Sequence, residues 1–281
     1  MNESPPSADA LSFKFDAYAP AEIGARIENA GVTKAHSPAL TVLALAVLAG
    51  AFIALGANFF TVAITGSSFG FGPTRLIGGL AFCLGLILVV VAGAELFTGN
   101  NLLTMAWASR RITAFELLRN WAIVYFGNFL GAVATAYLVY ASNQWQLGDQ
   151  AVGATALKIA IAKANLGFGE AFFRGILCNA LVCLAIWLCF SAHSTTDKIL
   201  CVLFPITAFV AAGFEHSVAN MYFIPLGLLL KPHYPGVDSS SLGIAEFLLK
   251  NLLPVTLGNI VGGAGMVGIV YWFVYLRRKN A

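Results

Sequence analysis

Six long apolar stretches divide this chain of 281 residues, and they limit the folds open to it more than any other feature. A hydrocarbon core of about 30 Å takes roughly 20 helical residues per crossing. The stretches are continuous rather than alternating, which argues against membrane strands. The chain is 59% hydrophobic and only 10% charged, as polytopic membrane proteins are. The sequence predicts an all-α membrane protein with spans near residues 38–60, 76–109, 118–141, 170–192, 199–230 and 247–276.

The second and fifth predicted spans are longer than one crossing, and polar residues interrupt each of them. The fifth carries Gly213, Glu215, His216, Ser217 and Asn220 at its midpoint. The bilayer offers no water to such groups, so ionisable residues at that depth are functional candidates by default. A cluster that only braces a helix break is the alternative. A purely structural cluster does not require a titratable histidine, however, and the presence of His216 therefore favours a functional site.

The two interruptions match one another at an offset of 120 residues. Each reads Ala-Gly-x-Glu, with an asparagine five residues after Glu95 or Glu215. The third and sixth spans also match, at an offset of 131, through Gly-Asn pairs that contain Asn128 and Asn259. Two matches in the same order indicate a duplication, with one copy at about residues 37–141 and the other at about 170–276.

An odd number of spans per copy makes the second copy enter the membrane from the opposite side. The sequence therefore predicts an inverted repeat of three helices each, whose broken helices meet near the midplane. Paired broken helices of this kind mark the substrate path of many transporters. Irregular backbone at that depth is tolerated where it lines a cavity or is buried in protein.

Four polar residues of the repeat are expected to have structural roles. Glu95 and Glu215 suit the starts of the half-helices that follow them, where a carboxylate accepts backbone N–H groups and complements the helix dipole. Asn128 and Asn259 are expected to bond across helices rather than to a solute.

His216 breaks the symmetry of the repeat, because its counterpart in the first copy is Leu96. An imidazole can donate a hydrogen bond to a small solute, and as a cation it can attract an anion. Thr98 is the closest polar partner from the other interruption. The flanks are apolar and predict hydrophobic constrictions, although each side chain is also an ordinary core residue: Phe82, Leu86, Leu96, Phe97 and Phe209.

The sequence favours a small monovalent solute, because it has neither an acidic ring for cations nor an arginine cluster for a multivalent anion. Lys158 and Lys163 lie in the connection 142–169, where they either draw anions towards the pore or are plain loop lysines. The five cysteines fall in apolar stretches without a CxxC pair, which predicts buried thiols and neither a disulfide nor a metal site. No cofactor or nucleic acid is expected.

The termini are expected on the cytoplasmic side. Residues 1–36 form a polar N-terminal segment, with a short amphipathic helix at 20–35 and no apolar leader. Residues 37–276 are expected to form a single transmembrane domain, and 277–281 a C-terminal tail. Basic residues near the span ends favour this orientation by ten to six. The ten cytoplasmic ones are Lys14, Arg26, Lys34, Arg110, Arg111, Arg119, Lys198, Arg277, Arg278 and Lys279, and the six external ones are Arg75, Lys158, Lys163, Arg174, Lys231 and Lys250.

A membrane-embedded enzyme is a second class of function, with Glu215 and His216 as an acid/base pair. The sequence holds no nucleophile motif, metal set or cofactor loop that would support it. We therefore expect a transport protein and not an enzyme.

Several stretches make the chain resemble the formate/nitrite transporter family. They are Gly93-Ala94-Glu95-Leu96-Phe97-Thr98, Asn120-Trp121-x-x-x-Tyr125-Phe126-Gly127-Asn128, Gly213-Phe214-Glu215-His216-Ser217-Val218-Ala219-Asn220-Met221 and Pro254-Val255-Thr256-x-Gly258-Asn259-Ile260. The resemblance implies an aquaporin-like fold in the bacterial cytoplasmic (inner) membrane, a homopentamer with one pore per subunit, and passage of formate. Nitrite or hydrosulfide is the alternative solute within the family.

The resemblance also assigns roles to individual residues. The central histidine of the family falls on His216, and its loop threonine on Thr98. Its pore asparagines fall on Asn179 and Asn220, and its vestibule lysine on Lys163. Its apolar constriction falls on Phe82, Leu86, Leu96 and Phe209.

Overall fold

A computed structural model describes residues 17–277, and these residues contain helices and no strand. Residues 1–16 and 278–281 lie outside the described residues, and with them the basic residues Lys14, Arg278 and Lys279. Twelve α-helices follow one another within the described range: α1 Pro20–His36, α2 Ala39–Ile64, α3 Phe71–Ile87, α4 Phe97–Asn100, α5 Thr104–Ala108, α6 Ala114–Ala141, α7 Ala151–Ala164, α8 Phe168–Ser191, α9 Thr195–Ala212, α10 Ser217–Leu230, α11 Leu253–Ile260 and α12 Val270–Tyr275.

Six helical segments are long and apolar enough to cross a membrane, which confirms the predicted number. They are Ala39–Ile64, Phe71–Gly93, Ala114–Ala141, Phe168–Ser191, Thr195–Ala212 and Glu246–Tyr275. Two of them include π-helical turns: α3 continues through Leu88–Gly93, and the last span holds Glu246–Leu252 and Val261–Ile269. The first span ends four residues later than expected. Near its end, the hydroxyls of Thr61 and Thr65 bond to carbonyls one turn back, which satisfies these polar groups within the apolar span.

Glycines allow two pairs of spans to approach with their backbones in contact. On α6, a Cβ at Gly131 would overlap the carbonyl oxygen of Val47 on α2. In the last span, a Cβ at Gly262 would overlap the carbonyl oxygen of Ile176 on α8. Small residues at helix crossings are the usual device for close packing in membranes. The two crossings fix α2 against α6 and α8 against the last span.

The connection 142–169 contains a helix that the sequence analysis did not predict. In α7, Val152, Ala156, Leu157, Ala160 and Ala164 recur at helical spacing and are buried. Their stripe packs mainly against α10. Periodicity was the available signal, but small alanines and two lysines made the segment read as a polar loop.

The N-terminal helix α1 packs on the channel domain and is not a free surface helix. Ile23 and Ile27 are buried, and Ala30 is half-buried. Glu22 accepts the backbone N–H of Ala19 at the helix start, whereas the guanidinium of Arg26 lies 3.9 Å over the ring of Tyr18. Both contacts hold the first turns of α1 against the residues that directly precede the helix.

Large apolar side chains cover much of the surface of the spans. Phe204 is 81% exposed, Leu40 78%, and Leu138 66%. Side chains of this kind are stable facing hydrocarbon or another subunit, but not water.

Candidate functional site

The two predicted interruptions coincide with two breaks in the helices. The first covers residues 94–96, between the end of the α3 span and the start of α4, and the second covers 213–216, between α9 and α10. Gly93 has a φ of 83° and Gly213 a φ of 75°. Only glycine adopts this left-handed conformation readily, and it commonly ends a helix. The residues that follow are extended, and each chain then turns into a second half-helix.

Asn128, on α6, holds the first break from the side. Its Oδ1 accepts the backbone N–H of Phe97, the first residue of α4, at 2.9 Å. Its Nδ2 donates to the carbonyls of Glu95 at 2.9 Å and Ala46 at 2.7 Å. A single buried side chain thus satisfies backbone groups that the break leaves without helical partners.

Asn259, on α11, makes the same set of bonds around the second break. Its Oδ1 accepts the backbone N–H of Ser217, the first residue of α10, at 2.9 Å. Its Nδ2 donates to the carbonyls of Glu215 at 3.0 Å and Gly175 at 2.8 Å. Both asparagines therefore bond across helices and also cap the half-helices.

The carboxylate of Glu95 is held by side chains rather than by backbone N–H groups, unlike the expected helix cap. It pairs with Nζ of Lys34 at 3.1 Å and accepts Nδ2 of Asn100 at 2.6 Å. Asn100 also donates to Asn120, whose own Nδ2 lies 3.4 Å from the carbonyl of Lys34. Four residues thereby form one closed polar ring, which the backbone carbonyl of Lys34 completes.

The carboxylate of Glu215 stands in an equivalent ring. It pairs with Nζ of Lys163 at 2.8 Å and accepts Nδ2 of Asn220 at 2.7 Å. Asn220 donates to Asn251 at 2.7 Å, and Asn251 donates to the carbonyl of Lys163 at 2.9 Å. The expected cap is again replaced by side-chain partners. Nearly complete pairing of this kind is what a buried carboxylate requires.

Thr98 and His216 meet at the centre, one from each break. Thr98 Oγ1 lies 3.0 Å from His216 Nε2, and both residues are buried. His216 Nδ1 accepts the backbone N–H of Ala219 at 3.1 Å, so the imidazole caps α10. An acceptor Nδ1 places the ring proton of neutral His216 on Nε2. The Nε2–H donor therefore points to the hydroxyl oxygen of Thr98.

The acid/base pair considered for an enzyme is not brought together. The Glu215 carboxylate is bound to Lys163 and Asn220, whereas the ring nitrogens of His216 contact Ala219 and Thr98. The carboxylate and the imidazole therefore act in separate networks.

Apolar side chains surround the central pair. The rings of Phe82 and Phe209 meet edge to face with centroids 5.6 Å apart, and Phe209 stacks on His216 at 6.0 Å. Leu86 and Leu96 are each 2% exposed. Phe97 instead packs edge-on against Trp121 and Tyr125, away from the central pair.

Two cavities approach the site from opposite ends of α3. The Lys163 cavity, of about 230 Å³, is lined by Lys163, Arg75, Phe82, Phe209 and His216. The Lys34 cavity, of about 720 Å³, is lined by Lys34, Val89, Gly93, Glu95 and Leu96. Phe82, Leu86 and Val89 share one face of the span Phe71–Gly93. Phe82 lines the Lys163 cavity and Val89 lines the Lys34 cavity, so Leu86 lies between the two, within the buried barrier that separates them.

The two asparagines assigned by resemblance lie behind the cavities. Asn179 is fully buried, and its Nδ2 donates to the carbonyls of Thr98 at 3.2 Å and Asn259 at 2.7 Å. Asn220 is fully buried in the ring around Glu215. Asn179 thus orients the segment that carries Thr98.

Comparisons with known proteins agree on one family. The sequence profile described as "Formate/nitrite transporter" matches residues 21–273. The chain belongs to the formate/nitrite transporter family.

Named relatives and solved structures of the family cover nearly the whole chain. The chain is 42% identical to the formate channel FocA of Escherichia coli K12, over 95% of this chain and 97% of that one, and 41% identical to FocA of Haemophilus influenzae, over 90% and 93%. A solved structure described as "Pentameric formate channel with formate bound" is 41% identical with a TM-score of 0.77, over 85% of this chain and 98% of that one. A structure described as an FNT family ion channel is 30% identical with a TM-score of 0.81, over 90% and 98%.

Sequence reasoning missed several site residues of this formate/nitrite transporter. Lys34 was assigned only to charge orientation, although it pairs with Glu95 as Lys163 pairs with Glu215. The sequence analysis gave Asn120 and Asn251 no role in the site, although each belongs to one of the two polar rings. Their signal was an asparagine directly after a basic residue at the start of a span, at the same offset as Asn128 and Asn259.

Proposed function

We propose that this protein is a channel for formate in the bacterial inner membrane, with His216 and Thr98 as its selectivity element. One observation carries the proposal: the Thr98–His216 contact of 3.0 Å lies buried between two cavities that come from opposite ends of the spans. A carboxylate that replaces this contact meets two hydrogen-bond donors, Nε2–H and the threonine hydroxyl.

The surroundings suit a small monovalent anion. Each cavity is lined by more basic than acidic side chains, which gives a net positive potential where an anion enters. The basic residues are Lys163, Arg75 and Arg174 beside Glu215 in one cavity, and Lys34, Arg26 and Lys198 beside Glu95 in the other. The barrier between them is apolar except for the central pair, so a hydrated cation would lose its water without gaining ligands. Formate is small enough to pass side chains that would stop a larger anion.

We also propose that the two halves form an inverted repeat. The matched bonds of Asn128 and Asn259, and the matched rings around Glu95 and Glu215, support it. The ring lysines come from α1 and α7, which extends each copy beyond the predicted limits to an amphipathic helix followed by three spans. Both termini then lie on the Lys34 side, which we propose is cytoplasmic because basic residues concentrate there.

A homopentamer is the proposed assembly, with one pore in each subunit. The pentameric description of the 41%-identical solved structure supports it. The spans have exposed apolar faces, and neighbouring subunits and lipid would cover them. The pore is placed within a subunit because both cavities and the central pair belong to one chain.

The test is formate uptake by proteoliposomes that contain the purified pentamer, across pH 5 to 8, with protein-free vesicles as the control for passive entry of formic acid. Uptake above the control, reduced most strongly by unlabelled formate, supports the proposal. Stronger competition by nitrite or hydrosulfide than by formate would give preference to the alternative solute. Uptake equal to that of protein-free vesicles would overturn the proposal.

A further inference from the structure

Arg75 ties two helices together at the entrance of the Lys163 cavity. The residue lies near the start of α3, and its guanidinium donates twice to the end of α9. Nε lies 2.9 Å from the carbonyl of Ala211, and Nη2 lies 2.6 Å from that of Val210. These two hydrogen bonds reach carbonyls in the last turn of α9, where few helical partners remain, although the carbonyl of Val210 also accepts the backbone N–H of Gly213. The pair of charge-assisted bonds fixes α3 against α9.

The same two helices carry the aromatic pair that narrows the pore. Phe82 comes seven residues after Arg75, two turns along the same face of α3, and Phe209 precedes Val210 directly. Between the two contacts the backbones touch, because a Cβ at Gly79 would lie 2.8 Å from the carbonyl oxygen of Thr207. Any change in the spacing of the helices at Arg75 is therefore transmitted to the two rings.

In the described residues, this arginine contact occurs at the second break and has no counterpart at the first. The residue 120 positions after Arg75 is Thr195, and in the described part of the chain no side chain donates to the carbonyls of residues 90–93 at the other break. The positions 120 residues from Phe82 and Phe209 are Val202 and Val89. The aromatic pair and the arginine thus occur together on the Lys163 side, whereas the corresponding positions on the Lys34 side hold two valines and a threonine.

We propose that Arg75 is a positioning residue that sets the size limit of the pore by holding the rings of Phe82 and Phe209 at their observed spacing. The inference rests on the proposed function and adds a specificity role outside the central pair. It requires the two directed hydrogen bonds of the guanidinium, and not merely its positive charge. A single ammonium group cannot reproduce the paired geometry.

The experiment compares uptake of formate and acetate by proteoliposomes, because the two anions differ by one methyl group. The variants are Arg75→Met and Arg75→Lys. Arg174→Met is the matched control: Arg174 lines the same cavity and carries the same charge, but it bonds to the carbonyl of Gly213 and to Glu170. Retention of the pentamer is checked for every variant, and Arg75→Lys carries the test if Arg75→Met does not assemble.

The formate-to-acetate ratio should fall by about tenfold in both Arg75 variants, the discrimination that one methyl group commonly provides. Arg174→Met should keep the wild-type ratio even if total uptake falls. Phe209→Ala should lower the ratio as well, and Arg75→Met added to it should lower it no further, because both act on one element.

The inference is overturned by wild-type formate uptake together with an unchanged ratio in the Arg75 variants. An equal fall in Arg174→Met, a wild-type ratio in Arg75→Lys, or additive effects of Arg75→Met and Phe209→Ala would also overturn it. Failure of the proposed function is distinct, because wild-type vesicles would then take up no more formate than protein-free ones.

Discussion

Asn128 and Asn259 are 131 residues apart and make the same three hydrogen bonds around two different breaks. Each accepts the first backbone N–H of a half-helix and donates to two carbonyls, one of which belongs to the glutamate of the break. Each is fully buried. The two side chains are therefore what allows a chain to leave helical geometry inside the membrane without leaving polar groups unpaired.

Removing either side chain should destabilise the protein strongly. Asn128→Ala leaves two buried backbone groups at the break, the N–H of Phe97 and the carbonyl of Glu95, without this partner, at about 1–3 kcal/mol each. We expect Asn128→Ala and Asn259→Ala to lower the Tm of the detergent-solubilised pentamer to a similar extent. Asn165→Ala, at an exposed position, serves as the control and should leave the Tm unchanged. A wild-type Tm in either buried variant would contradict this role.

The pair Lys163–Glu215 should behave as a unit. Lys163→Met leaves the Glu215 carboxylate buried without a cation, a loss of about 3–5 kcal/mol for buried ion pairs. The double variant Lys163→Met/Glu215→Gln should recover much of the lost Tm, because the remaining amide is neutral and keeps an acceptor for Asn220. A double-mutant cycle on the Tm measures the coupling. Additive losses would show that the two residues contribute independently.

The helix crossing at Gly262 should not accept even one methyl group. A Cβ there overlaps the carbonyl oxygen of Ile176, whereas a Cβ at Gly265, one turn later, meets no atom within 4 Å. We expect Gly262→Ala to cost at least about 1–3 kcal/mol through overpacking. Gly265→Ala should be neutral or slightly stabilising, since alanine is the better helix former. Equal thermal stability of the two variants would contradict the crossing.

Part of this fold follows directly from the sequence. Continuous apolar stretches predicted the six spans because burial in hydrocarbon leaves few other options for a backbone. The matched Gly-x-Glu and Gly-Asn motifs predicted where equivalent polar sites occur. The helix α7 was missed because its stripe consists largely of alanines, whose apolar signal is weak beside Lys158 and Lys163.

The partners of the buried glutamates could not be predicted from the sequence. Lys34 lies 61 residues before Glu95, and Lys163 lies 52 residues before Glu215, so no local spacing connects them. The glutamates follow the glycine of each break and read locally as helix caps. The tertiary structure overrides that local preference. Asn128 on α6 and Asn259 on α11 already accept the first N–H of each half-helix, so the glutamates do not cap it.

Thr98 should contribute through its hydroxyl group alone. Thr98→Val keeps the shape of the side chain and removes the contact with His216 Nε2. We expect formate uptake to fall by about tenfold, the value of one hydrogen bond of about 1.4 kcal/mol, with the Tm close to that of the wild type. Thr98→Ser should retain most of the uptake. Equal uptake by the valine and serine variants would show that the hydroxyl is not used.

The most direct measurement is formate uptake by proteoliposomes that contain His216→Phe or His216→Asn, from pH 5 to pH 8, beside wild-type and protein-free vesicles. Phenylalanine removes both ring nitrogens, so uptake should fall by at least about tenfold. Asparagine keeps an N–H donor at this position, so uptake should persist above that of the phenylalanine variant. Wild-type rate, anion selectivity and pH response in both variants would contradict the claim that a single imidazole between apolar constrictions selects the anion.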